Sequence, residues 1–281
     1  MDWFTEPFGY EFMQRALWAG LLAGIVCSLV GTWVVIRGLS FMGEALAHGV
    51  LPGIALAFTL GFDLALGAAV SAAVMIAGVT VVDRRSKMSA DVGIGLLFVG
   101  MLALGVIIIS RSTAYSGELT SFLFGNPLAV SWGDLAGQSV AAVGVLVVVV
   151  LGYRAFLALS FHEGKARVLG LRPGLTHVAL LALITVAVIS SYRSVGTLLV
   201  VGLLVAPPAT ASLVVRRVPV VMVVSCAIAS VCVAVGLLVS YHYDTSAGAT
   251  MAFCAVTAFF VTLAGREVAD RVRRVDPAPA L

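Results

Sequence analysis

A bundle of about eight or nine membrane-spanning α-helices is the fold this sequence predicts, and three observations predict it. The chain has 281 residues, of which 61% are hydrophobic and 11% charged, where a soluble domain carries about 25% charged residues. Its mean hydropathy is +1.10. Apolar runs of near-spanning length recur at 16–36, 45–60, 64–82, 92–110, 135–153, 175–191, 195–215, 219–241 and 249–265, with short connections between them. The basic residues are spread unevenly over those connections. No soluble domain is inserted and no low-complexity segment appears, so a single membrane domain is expected over 1–281. A soluble two-domain enzyme is excluded.

Taken in order, Met1 to Phe12 has no basic residue before Arg15 and no cleavage-site pattern, so no removable signal is expected. The first pass follows at 16–36. The second, 45–60, is the shortest, and it lies in the stretch Gly43-Glu44-Ala45-Leu46-Ala47-His48-Gly49-Val50-Leu51-Pro52-Gly53. Four-residue spacing puts Glu44 and His48 on one helix face, one turn apart. Pro52 cannot donate to the His48 carbonyl, so the helix is expected to bend or open beside the imidazole. Such a break is tolerated at membrane depth only where protein or a water-filled path meets the freed backbone.

The loop after 64–82 holds Arg84, Arg85 and Lys87 and sets the orientation. With that loop cytoplasmic, alternate counting leaves Arg15, Arg111 and Arg193 outside, 3 of the 17 basic residues. The expected topology therefore has an external N-terminal segment, 1–14, and a cytoplasmic tail, about 266–281. The external connection from Arg111 to Asp134 reads as an interfacial segment, with Gly125-Asn126-Pro127 as its turn. The internal connection, about 154–173, carries Glu163, Ala166, Arg167 and Gly170, and a short amphipathic helix fits it, stopped by Gly170 before Pro173. That helix reads as a docking element or as a loop lying on the membrane surface.

In the run 195–215, Pro207 and Pro208 would free the carbonyls of Leu203 and Leu204, marking a kink or a gate. The external Tyr241-His242-Tyr243-Asp244-Thr245 offers His242 and Asp244 where an arriving cation would first meet the chain, or forms a polar interfacial turn. Cys27, Cys226, Cys232 and Cys254 lie inside apolar runs without a C-x-x-C pair and read as small buried hydrophobes.

Ionisable groups at membrane depth are costly and mark pathways or partners. A carboxylate with an imidazole suits Zn²⁺, Mn²⁺ or Fe²⁺. Two ligands make a weak site, which suits an ion that must leave as readily as it arrives. Spacing alone leaves three readings of Glu44 and His48: transient metal handling, a proton relay, or a helix-packing hydrogen bond. No G-x-x-x-x-G-K-[ST] phosphate loop is present, since Lys87 and Lys165 stand in other contexts, so no ATP hydrolysis by the chain itself is expected. No nucleophile elbow or H-E-x-x-H helix points to catalysis either.

The stretch 43–53 resembles the "G-[DE]-x-[IL]-[SA]-H-[AG]-x-L-x-G" signature of permeases of the zinc/manganese/chelated-iron ABC importer family. Leu123-Phe124-Gly125, Val195-Gly196-Thr197-Leu198-Leu199 through Pro207-Pro208-Ala209-Thr210-Ala211, and Tyr243-Asp244-Thr245-Ser246-Ala247-Gly248 add to the resemblance, which runs from about Phe12 to Gly265. Many relatives have Asp where Glu44 stands, and a single proline where Pro207 and Pro208 stand. The resemblance implies a homodimer in a bacterial plasma (inner) membrane, bound to two cytoplasmic ABC ATPase subunits. An external metal-binding protein would deliver the ion, and no nucleic acid is involved. Glu44 and His48 of each protomer would contact the metal, and Glu163, Ala166, Arg167 and Gly170 would form the helix coupling the chain to the ATPase. The cargo would be Zn²⁺ or Mn²⁺, or else Fe²⁺, and intrinsic affinity ranks zinc first. The competing expectations are a permease for a metal chelate or haem and a proton-coupled secondary transporter. The second has against it the lack of a clear inverted repeat of broken helices.

Overall fold

The structure is a computed structural model that describes residues 6–85, 90–110, 130–161 and 171–275. After a single 3₁₀ turn at Pro7–Gly9, nine helices follow among the described residues: α1 (Glu11–Ile36), α2 (Ser40–Gly49), α3 (Leu51–Leu60), α4 (Leu64–Arg85), α5 (Ala90–Ile109), α6 (Trp132–Phe161), α7 (Pro173–Val214), α8 (Val218–Tyr243) and α9 (Ala247–Val275). Eight segments are long and apolar enough to cross a bilayer, with α2 and α3 together making one of them, Ser40–Leu60. A shorter apolar stretch, Leu199–Val214, is the second half of α7.

α7 explains how eight long segments and nine apolar runs agree. A straight helix of 42 residues would be about 63 Å long, twice the hydrocarbon thickness of about 30 Å. It does not run straight. Gly196 sits at φ 79° and ψ 158°, a region open essentially to glycine alone. Contacts with α1 show the consequence. His177, near the start of α7, meets Arg37 just past the end of α1, with Arg37 Nη1 3.1 Å from His177 Nδ1. Leu204 and Pro208, near the end of α7, pack on Gly31 in the last turns of α1. Both ends of α7 thus lie at the Arg37 end of the bundle, and the chain turns back at Gly196. With Leu199–Val214 counted beside the eight longer segments, the apolar segments among the described residues match the nine apolar runs of the sequence.

α1 and α7 form the centre. Trp33 is fully buried between Tyr153 and Phe156 of α6, at ring-centroid distances of 5.5 and 5.6 Å. Gly20 and Gly24 of α1 admit Val233 and Ala229 of α8, which places those two helices antiparallel and close. Gln138 of α6, buried at 3% exposure, donates from Nε2 to the Ala19 carbonyl at 3.0 Å. At the Arg37 end, Arg266 of α9 donates to the Leu213 carbonyl in the last turn of α7. The outer faces of α4, α5 and α6 present Val70, Val74, Leu96, Val99, Val140 and Leu151, as expected of surfaces that meet lipid rather than water.

Two elements differ from the sequence expectation, and a third lies beyond the described residues. α6 runs to Phe161 rather than ending near 153, because Phe156 and Leu159 are buried and extend its contact with α1 past Arg154. The backbone of α7 keeps helical dihedrals through Pro207 and Pro208, and the departure lies at Gly196. The Leu204 carbonyl, which Pro208 cannot serve, is pressed against Gly31, so helix packing covers the freed group. The expected interfacial segment between Arg111 and Asp134 lies almost wholly outside the described residues.

Candidate metal pathway at the α2–α3 break

The second pass is two short helices, not one. α2 ends at Gly49, Val50 stands between the helices, and α3 starts at Leu51. Pro52 falls in the first turn of α3, where no donor is required and a fixed φ suits the start of a helix. The ladder resumes with the Ile54 N–H donating to the Val50 carbonyl at 3.1 Å. The Gly49 carbonyl accepts a hydrogen bond of 2.8 Å from the Ser71 hydroxyl of α4. The break that Pro52 predicts is therefore present, placed at 49–50 and met by a neighbouring helix.

Glu44 and His48 stand one turn apart on α2, in the first half of the 21-residue pass, with His48 just before this break. Gly43, Ala45, Leu46, Ala47 and Gly49 around them are buried, whereas Glu44 and His48 are each half-buried. Together with Ser40 and the exposed Phe41 near the start of the helix, the pair makes up the open positions of α2. The imidazole stands edge-on to Phe98 of α5 at 5.6 Å and 62°, and Phe98 meets Phe41 at 6.0 Å. His48 Nδ1 is buried without a hydrogen-bond partner among the described residues. No hydrogen bond or ion pair to Glu44 occurs among them either, the one salt bridge being Arg15–Glu11. No helix-packing hydrogen bond joins these two residues to a partner among the described residues.

Among the described residues no three of the His, Cys, Asp and Glu side chains come together as a metal cluster. Glu44 and His48 are the two candidate donors at this break among the described residues, where a four-coordinate set would need two more. His242 lies in the last turn of α8, its ring 5.3 Å from Tyr241. Asp244 caps the same helix with φ 48°. Both belong to the far end of α8 and not to the α2–α3 break. Glu163, Ala166, Arg167 and Gly170 lie outside the described residues. Sequence reasoning missed Ser71 and Phe98. The hydroxyl of Ser71, four residues after Gly67 in an apolar run, was the available signal for the first; nothing in the sequence marks Phe98 out.

The chain matches the family model described as the ABC 3 transport family over residues 9–266. It is 35% identical over 252 residues to the manganese transport system membrane protein MntC of Listeria monocytogenes, covering 90% of each chain. It is 35% identical over 259 residues to the chelated iron transport system membrane protein YfeD of Yersinia pestis, covering 92% of this chain and 87% of that one. Among solved structures it is similar to a chain of PsaBC from Streptococcus pneumoniae in complex with Fab. There the TM-score is 0.85 and the identity 31%, with 93% of this chain and 94% of that one covered. From the broken second pass, the helical bundle and these matches together, the chain belongs to the ABC 3 transport family, as a multi-pass membrane permease of the ABC transporter type.

Proposed function

We propose that this chain is the membrane half of an ATP-driven importer that carries a divalent transition metal ion through the Glu44/His48 level. The observation that carries the reading is a half-open carboxylate and imidazole one turn apart beside a helix break inside an apolar pass, with His48 Nδ1 unpartnered among the described residues. A second copy related by a two-fold axis would supply the other Glu44 and His48, making four donors around one path. Two donors per chain make a weak, open site, which suits binding in transit, since no closed cage holds the ion.

Mn²⁺ and Fe²⁺ fit the carboxylate–imidazole set, and the names of the relatives, which speak of manganese and chelated iron, favour them over the zinc that intrinsic affinity alone ranks first. In this reading an external metal-binding protein hands over the ion near His242 and Asp244. Two ATPase subunits seat against Glu163, Ala166, Arg167 and Gly170 on the cytoplasmic side. The N-terminal segment is external, the C-terminal tail is cytoplasmic, and the membrane is the bacterial plasma membrane. Glu44→Ala with His48→Ala is expected to abolish cellular Mn²⁺ uptake while the complex still assembles. Wild-type uptake by that double variant would refute the site.

A further inference from the structure

One face of α4 holds the α2–α3 break from outside. Gly67, Ser71 and Met75 follow one another at four-residue spacing and so share that face. Gly67 meets the backbone of Gly53 in α3, and Met75 covers Gly49, with its Cγ 3.1 Å from where a Cβ would stand there. Between them the Ser71 hydroxyl donates to the Gly49 carbonyl at 2.8 Å, with Ser71 at 5% exposure. Gly49 is the residue directly after His48. At the break the carbonyl lacks the ladder that serves it inside a helix, so the hydroxyl of another helix completes it. The side-chain nitrogen Nδ1 of His48 has no such support among the described residues, where it is unpartnered, and the ring stands edge-on to Phe98. The orientation of the imidazole therefore depends on the backbone of the break.

We infer that Ser71 is a positioning residue for metal handling: its hydrogen bond to the Gly49 carbonyl fixes the end of α2 and, through it, the direction in which His48 presents its open nitrogen. The inference rests on the proposed role of His48. Ser71 touches no metal, and its effect passes through one backbone carbonyl.

The test uses the full permease–ATPase complex in lipid nanodiscs without nucleotide, with Mn²⁺ as the probe. Free Mn²⁺ measured by electron paramagnetic resonance gives the affinity. The nitrogen-14 modulation of the bound ion reports the imidazole. Ser71→Ala is expected to weaken Mn²⁺ binding about three- to fifteen-fold, the range of one interhelical side-chain hydrogen bond in a membrane protein. At saturating Mn²⁺ it should also diminish the nitrogen-14 signal. Ser71→Cys, close in size but a weaker donor, should fall between the two proteins in both readouts, and it carries the test if Ser71→Ala does not assemble. Unchanged affinity in Ser71→Ala, or weakened affinity with an unchanged nitrogen-14 signal, overturns the inference. A nitrogen-14 signal that survives His48→Ala would instead overturn the proposed metal site itself.

Discussion

Gly53→Ala perturbs the closest helix–helix approach beside the break. A methyl group there would overlap the Gly67 carbonyl oxygen, and it would stand 2.6 Å from Ser71 Cβ and 2.7 Å from the Gly67 carbonyl carbon. These neighbours are backbone and a short side chain on a packed helix, so none can swing aside. α3 and α4 must separate by about 1 Å to restore ordinary contact. The Ser71–Gly49 hydrogen bond of 2.8 Å would then stretch beyond useful length. Overpacking of this kind costs about 1–3 kcal/mol, and the lost interhelical hydrogen bond adds roughly 0.6–1.7 kcal/mol. We expect a loss of about 2–5 kcal/mol, read as unfolding in lipid bicelles, with metal uptake falling alongside. Gly144→Ala is the control. No atom lies within 4 Å of a Cβ placed at Gly144, so it should change stability by less than about 1 kcal/mol, and in the favourable direction. A Gly53→Ala protein that unfolds and transports like wild type would refute the close-packed reading of the break.

Other substitutions probe the rest of the bundle. Trp33→Ala removes a fully buried ring lodged between Tyr153 and Phe156 and should destabilise by about 3–5 kcal/mol, measured in the same unfolding assay. Gly31→Ala drives a methyl into the Leu204 backbone and should cost about 1–3 kcal/mol. Because Leu204 also packs its side chain on Gly43, next to Glu44, the same variant should slow Mn²⁺ uptake more than Trp33→Ala does at equal destabilisation. Gly196→Ala puts a Cβ where φ is 79° and should cost about 1–3 kcal/mol, seen as reduced folded yield in membranes.

Much of this architecture is legible in the sequence, for reasons that differ by element. Passes are visible because lipid demands long apolar runs whatever their neighbours are. Two runs were separable at 191–195 because Ser190, Ser191, Arg193 and Ser194 interrupt them, although the turn itself depends on the one glycine at 196. The break in the second pass is legible because Pro52 has no N–H. Its position is not, because Gly49 and Val50 part where α4 can serve the Gly49 carbonyl. Pro207 and Pro208 announce freed carbonyls, but that the Leu204 carbonyl packs against Gly31, more than 170 residues away in the chain, is visible only in the fold. Glu44 and His48 stand out as ionisable residues in an apolar run. Ser71 and Phe98 do not, because a serine or a phenylalanine in a membrane helix is ordinary until the fold shows what it touches.

The most direct test of the central claim is Mn²⁺ uptake into proteoliposomes holding the permease with its ATPase partner, for wild type and for Glu44→Ala with His48→Ala. The ion is presented on the external binding protein, with and without ATP. Uptake is expected to require both ATP and the ATPase and to vanish in the double variant while the complex stays assembled. Uptake driven by a proton gradient without the ATPase, or full ATP-dependent uptake by the double variant, would contradict it.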